Sequence, residues 1–162
     1  MPFDIRRFEE RDRATCESLM DAFEDELVAM DPHHRVIRGP GYGRHFVQRM
    51  LDDAAENEGQ VLIAEDNDGI VGFAAGSIST RDRTEALSVI DYRNGEVTEL
   101  YVIPQARGRG IGRELLARFE AFFRETGCDS MRIEVFAHNM HARSFYAELG
   151  FEERDIELFK SL

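Results

Sequence analysis

Residues 96–113 read Glu-Val-Thr-Glu-Leu-Tyr-Val-Ile-Pro-Gln-Ala-Arg-Gly-Arg-Gly-Ile-Gly-Arg, and no other stretch constrains the fold as tightly. The spacing predicts a strand from Glu96 to Ile103, stopped by Pro104. A Gly/Arg loop follows, and then a helix over 110–125 with Ile111, Leu115, Phe119 and Phe122 on one face and Gly127 closing it. A helix start leaves backbone N–H groups unpaired and carries the positive end of the helix dipole. Glycines there let an anion approach the backbone, and arginines add charge-assisted hydrogen bonds. The segment therefore reads as a pyrophosphate cradle. Two other glycine-loop signatures fail on the letters. A dinucleotide fingerprint needs a third glycine where Arg113 stands, and the Gly-Lys-Ser/Thr ending of a phosphate-binding P-loop is absent. A tight strand-to-helix turn with no ligand is the plain alternative.

Charge narrows the partners. The 162 residues hold 20 basic and 32 acidic side chains, a net charge of −12. Residues 1–60 carry −6, residues 61–104 carry −5 and residues 105–162 only −1. Within the last part, Arg107, Arg109, Arg113 and Arg118 against Glu114 form one basic island. Nucleic acid is not an expected partner, because its nonspecific binding needs a basic surface. No run approaches the roughly 18 apolar residues of a membrane span, so no membrane partner is expected. The charges among the first fifteen residues leave no apolar leader. Cys16 and Cys128 allow at most one disulfide, and a reduced, cytoplasmic chain is the expectation.

Along the chain there is no repeat or linker, so a single domain over 1–162 is expected. A short strand near Phe3, Ile5 and Phe8 precedes a helix over 11–30, ended by Asp31-Pro32. A loop from His33 to Tyr42 leads to a second helix over 43–57. Val61 to Ala64 and Ile70 to Ile78 form a hairpin through Asn67-Asp68-Gly69. Residues 81–94 read as polar loop. After the 110–125 helix come a strand at Met131 to Val135, a short helix over 140–148 and a last strand from Phe151 to Phe159. This order predicts an α/β (α+β) domain with a mixed, mostly antiparallel central sheet flanked by helices on both faces.

Arg107-Gly108-Arg109-Gly110-Ile111-Gly112 resembles the acetyl-CoA loop of the GNAT superfamily of N-acetyltransferases, Arg/Gln-x-x-Gly-x-Gly/Ala. Glu99-Leu100-Tyr101-Val102-x-Pro104 is similar to the strand before it. Asn139, Ala142, Tyr146, Gly150 and Phe151 repeat a second block at the family's usual distance. The resemblance is specific over 96–151 and implies a GNAT-like acyl-CoA N-acyltransferase fold with acetyl-CoA as cosubstrate. It implies that the backbones of Leu100, Tyr101 and Val102 pair with the pantetheine arm. Gln105 to Arg113, with the N–H groups of Arg107, Gly108, Arg109, Gly110, Ile111 and Gly112, would hold the pyrophosphate. Asn139 would contact the cofactor just beyond the next strand, and residues 1–60 would supply acceptor-side helices. Homodimers are common in the family.

Acyl transfer from a thioester to an amine has two proton problems. The amine must lose a proton, and the departing thiolate benefits from gaining one. A phenol has a reference pKa of about 10, near that of an alkyl thiol, and Tyr146 stands at the family's position for the acid. Packing against the cofactor is its plainer role. Glu99 is the candidate base, through water, with Glu96 as rival and a structural salt bridge as the alternative. A backbone N–H near Val102 would steady the thioester oxygen. No metal site is expected, because the five histidines lack ligand spacing. The acidic first 95 residues favour a cationic acceptor, a small-molecule or peptide amine, with Asp25, Glu26, Asp31 and the His33–Tyr42 loop as first candidates. A non-catalytic acyl-CoA sensor and a transferase for another acyl group remain alternatives.

Overall fold

The computed structural model describes residues 2–79 and 93–162. The polar loop expected over 81–94 lies outside the described residues apart from Arg93 and Asn94. The chain runs β1 (Asp4–Arg7), a 3-10 turn (Glu10–Asp12), α1 (Arg13–Met30), α2 (Tyr42–Glu56), β2 (Gln60–Asp66), β3 (Gly69–Ser79) and β4 (Asn94–Val102). A second 3-10 turn (Pro104–Ala106), α3 (Ile111–Glu125), β5 (Ser130–Ile133) and α4 (Met140–Glu148) complete it. The five strands lie in sequence order across the sheet. Every pairing is antiparallel except β4 with β5, which are joined through α3 and run parallel.

Strand alternation divides the core in two. Leu62 and Ala64 of β2, Val71 and Ala74 of β3, and Val97 of β4 face α3, where Ile111, Leu115, Phe119 and Phe123 are buried. Val61 and Ile63, with Phe73, Ala75 and Tyr101, face α1 and α2, meeting Cys16, Met20, Val47 and Met50. The helices α1 and α2 meet at Gly43, where a Cβ would sit 2.1 Å from the carbonyl oxygen of Glu17. The Gly43 N–H donates to Asp21 Oδ1 at 2.9 Å. Arg6 ties the first strand to its surroundings, donating to both Asp12 oxygens at 2.7 and 2.8 Å and to Glu65 Oε2 at 2.8 Å. That guanidinium holds the Asp12 carboxyl below its usual range.

The last expected strand does not form. Residues 149–162 carry neither helix nor strand, and Ile156, Leu158, Phe159 and Leu162 are exposed. Four consecutive charged residues, Glu152 to Asp155, interrupt the alternation, so no face of the segment is continuously apolar. Phe151 is instead drawn back against Tyr146, with its N–H donating to the Tyr146 carbonyl at 3.1 Å. Phe159 packs against the His33 ring in the loop after α1, with centroids 4.3 Å apart and the planes tilted by 41°.

Candidate active site

The ladder between β4 and β5 covers only Asn94–Val97 against Ser130–Ile133. β4 continues to Val102 with β3 as its partner, so its other edge opens from Thr98 onward among the described residues. The Ile103 N–H donates to the Val71 carbonyl at 3.0 Å. By antiparallel alternation, Tyr101 then turns its backbone toward β3, whereas Leu100 and Val102 present theirs to the open edge. Of the three backbones expected to meet an extended ligand, Leu100 and the N–H of Val102 face the open edge, the Val102 carbonyl accepts from Arg107 Nε, and Tyr101 is committed to the sheet.

A bulge interrupts β4 beside the Glu99 carboxylate. Ala75 pairs with Glu99 and Gly76 with Val97, leaving Thr98 as one extra residue in β4. In such a bulge two successive side chains share one face. Val97 faces α3, while Thr98 and Glu99 line a cleft of about 190 Å³ with Phe46, Arg49, Met50 and Asp53 of α2. Burial pushes the Glu99 carboxyl up to about 7, the charge of Glu24 adds to the rise, and Arg49 opposes it. Arg49 lies 4.6 Å over the Phe46 ring. A neighbouring cleft of about 240 Å³ shares Asp53 and Thr98 and is bordered by Ser77, Glu96 and Arg132. Glu96, the rival base, is paired with Arg132 at 2.6 Å.

At the far end of the open edge the chain enters the Gly/Arg loop. Gly108 and Gly110 have φ of 76° and 85°, in the left-handed region that favours glycine, and a Cβ at either would meet open space. Gly110 caps α3, and the first backbone bond into the helix is donated by Glu114 to the Gly110 carbonyl at 3.0 Å. The N–H groups of Gly108, Gly110, Ile111, Gly112 and Arg113 therefore have no backbone partner among the described residues. Ile111 buries its side chain, so only its N–H can serve a ligand. Gln105 is exposed on the turn before the loop.

The loop arginines are engaged elsewhere. Arg107 Nη2 donates to both oxygens of Glu26 at 2.7 Å, and its Nε donates to the Val102 carbonyl at 2.9 Å. Arg109 pairs at 2.8 Å with Asp66, whose side chain is only 2% exposed. Arg113 stands 3.6 Å from Glu148. The basic island counted along the chain is thus largely balanced by carboxylates, three of which, Glu26, Asp66 and Glu148, come from outside it.

Tyr146 lies on the opposite side of the sheet from Glu99, on α4 between the rings of Phe145 and Phe151 at 5.4 and 5.6 Å. Burial alone pushes its hydroxyl up to about 12. Asn139 caps α4, its Oδ1 accepting from the Ala142 N–H at 3.0 Å. Its side-chain oxygen is used within the fold, and its amide nitrogen is the part left for a ligand.

The expected acceptor carboxylates are placed differently. Asp25 pairs with Arg38 at 2.6 Å, Glu26 with Arg107, and Asp31 accepts the N–H groups of His33, Arg35 and Val36 at 2.6–2.9 Å. Asp53 and Glu99 face the cleft instead, with buried Glu24 near Glu99. Glu24 accepts from the Tyr42 hydroxyl at 2.7 Å. Asp53, Arg49 and Glu24 were not anticipated. The available signal was polar residues at helical spacing on the otherwise apolar faces of α1 and α2. Among the described residues no group of three His, Cys, Asp or Glu could hold a metal ion, and no helix is long and apolar enough to cross a membrane.

The family model described as the acetyltransferase (GNAT) family matches residues 14–151. The chain belongs to this family. GNAT proteins are acetyl-CoA-dependent acyltransferases, and the mixed sheet flanked by helices is their fold. An uncharacterized N-acetyltransferase, YhfO, of Bacillus subtilis is 32% identical over 67% of this chain and 66% of its own length, just under two thirds. The aminoglycoside N(6')-acetyltransferase type 1 of Stenotrophomonas maltophilia is 31% identical over 67% of this chain and 70% of its own. The solved structure of AAC(6')-Iy with the bisubstrate analogue CoA-S-monomethyl-acetylneamine superposes with a TM-score of 0.71. It covers 100% of this chain and 99% of that one at 20% identity.

The residues present fit the GNAT cosubstrate. Coenzyme A carries a diphosphate, which suits the unpartnered N–H groups around two left-handed glycines. Its extended, amide-bearing arm suits the open edge of Leu100 and Val102.

Proposed function

We propose that this GNAT chain transfers the acetyl group of acetyl-CoA directly to a primary amine of a small molecule or peptide, with a cationic acceptor preferred. The observation that supports the reading is a raised carboxyl, Glu99, in the α2 cleft on one side of the sheet and Tyr146 packed in the α3-side cluster on the other, with the β4 edge open beyond Val97. Acetyl-CoA supplies an activated acyl carbon. The cradle from Gln105 to Arg113 holds the diphosphate, chiefly through its N–H groups, and the Leu100 and Val102 backbones align the arm. Either N–H steadies the thioester oxygen as negative charge develops on it.

The amine approaches from the α2 side, where Glu99 takes its proton through a water. A carboxyl near 7 is half ionised at neutral pH, which suits a general base. The new N–C bond forms as the C–S bond breaks, and Tyr146 gives its proton to the departing thiolate. Burial raises Tyr146, but burial also raises a thiol in the same surroundings, so donor and leaving group stay matched. Asp53, Glu99 and nearby Glu24 outnumber Arg49 at this cleft and support an ammonium-bearing acceptor. The aminoglycoside acetyltransferases among the relatives support a small-molecule amine.

The test is thiol release from acetyl-CoA with n-butylamine, putrescine, an aminoglycoside and glutamate as acceptors. Release is expected with the cationic amines and little with glutamate. Tyr146→Phe is expected to lower kcat by roughly 100-fold or more, with coenzyme A affinity by calorimetry within twofold of wild type. Coenzyme A binding without thiol release from any amine would overturn the transferase reading.

A further inference from the structure

Arg107 occupies the junction of the open edge and the anion cradle, and its guanidinium turns to Glu26 and to the Val102 carbonyl on that edge rather than to the cradle. Glu26 on α1 takes Nη2 with both oxygens at 2.7 Å, and the Val102 carbonyl takes Nε at 2.9 Å. The Tyr101 hydroxyl donates to the same Glu26 carboxylate at 3.0 Å, and the Tyr101 ring lies 5.7 Å from the guanidinium carbon. Glu26 is thereby oriented by a buried tyrosine, while the ion pair itself is 39% and 35% exposed on its two sides. The neighbouring Arg109–Asp66 pair differs, because Asp66 is almost fully buried and ties the loop to the end of β2. An exposed pair of this kind is weak and exchanges readily, whereas a diphosphate is a stronger partner for a guanidinium than a single carboxylate.

We propose that Glu26 tunes the affinity for coenzyme A downward by drawing Arg107 away from the diphosphate cradle. The inference rests on the cosubstrate reading above. With Glu26 in place, the diphosphate is held mainly by backbone N–H groups, and Arg107 contributes only after giving up its carboxylate. Removing that carboxylate leaves the guanidinium one residue from Gly108 with no competing anion. The consequence is tighter binding and slower departure of coenzyme A. A carboxylate with a merely structural role would have the opposite sign, because its loss would loosen α1 from the edge and weaken binding.

Calorimetry with coenzyme A separates the cases, using wild type, Glu26→Gln, Arg107→Gln and the double variant at 20 and 300 mM NaCl. Glu26→Gln is expected to tighten binding about three- to tenfold at low salt. The gain should shrink at high salt and vanish in the Arg107→Gln background. Unchanged or weaker binding in Glu26→Gln, or a gain that survives the loss of Arg107, overturns the proposal. Glu26→Asp, whose shorter arm retreats from Arg107, gives the same expected direction and serves if Glu26→Gln does not fold. Wild type that fails to bind coenzyme A overturns the cosubstrate reading itself, and it is measured first.

Discussion

Glu99 shares its face with Tyr101 by ordinary alternation, and the extra residue at Thr98 lets Val97, only two positions earlier, face α3 instead. The Glu99 carboxyl thus lines the α2 cleft beside Thr98, where burial holds it at about 7 against an ordinary 4.5. Two consequences differ in sign. As a base Glu99 works only when ionised, so turnover should climb with pH through about 7. For stability, the folded chain binds the proton more tightly than the unfolded chain. The contribution of the protonated group is complete below about pH 4.5 and is lost as pH rises through 7. Glu99→Gln cannot ionise and should remove both effects. Its turnover is expected to fall at least about 100-fold. Above pH 7 the variant should be the more stable protein, by on the order of 3 kcal/mol. Urea unfolding at pH 5 and pH 8 checks the second, and loss of stability in the variant at pH 8 would contradict a carboxyl whose charged form is disfavoured by burial.

The acceptor side depends on how closely α1 and α2 approach, and Gly43 sets that distance. A methyl group there would press on the backbone of Glu17 rather than on a movable side chain. Gly43→Ala is expected to cost about 1–3 kcal/mol in urea unfolding, with coenzyme A affinity unchanged because the cradle lies on β4 and α3. Elements of this kind were legible wherever the signal is local. The helical period marked α1, α2 and α3, Asn67-Asp68-Gly69 marked the hairpin, and Pro104 with the following glycines marked the strand-to-helix turn. What depends on a distant partner was not legible. The bulge exists only relative to β3, and Arg107 finds Glu26 from 81 positions away. Likewise, Phe151 to Phe159 has strand-like residues at its ends, but Glu152 to Asp155 remove the continuous face that pairing on β5 would need.

At the scale of the whole molecule, the charge is divided in the way the proposed pair of substrates would use. The net −12 is concentrated before residue 105, and within that part α2 and β4 line the cleft proposed for the acceptor, with Glu24 of α1 near Glu99. The loop is kept near neutral by Glu26, Asp66 and Glu148, so a diphosphate bound there as proposed would meet oriented N–H dipoles more than net positive charge. A field of this sign concentrates cations at the cleft mouth and is screened within about 8 Å at physiological salt. For a cationic acceptor such as putrescine, kcat/KM should therefore fall severalfold between 20 and 300 mM NaCl. The loss should appear in KM, while kcat, which the proposed mechanism assigns to Glu99 in the cleft and Tyr146 across the sheet, changes little. An anionic amine such as glutamate should show the reverse trend, since salt relieves its repulsion. Initial rates across the salt series with both acceptors measure the difference. Equal salt dependence for the two would mean that the acidic wall does not select the acceptor, leaving local groups such as Asp53 and Arg49 to do so.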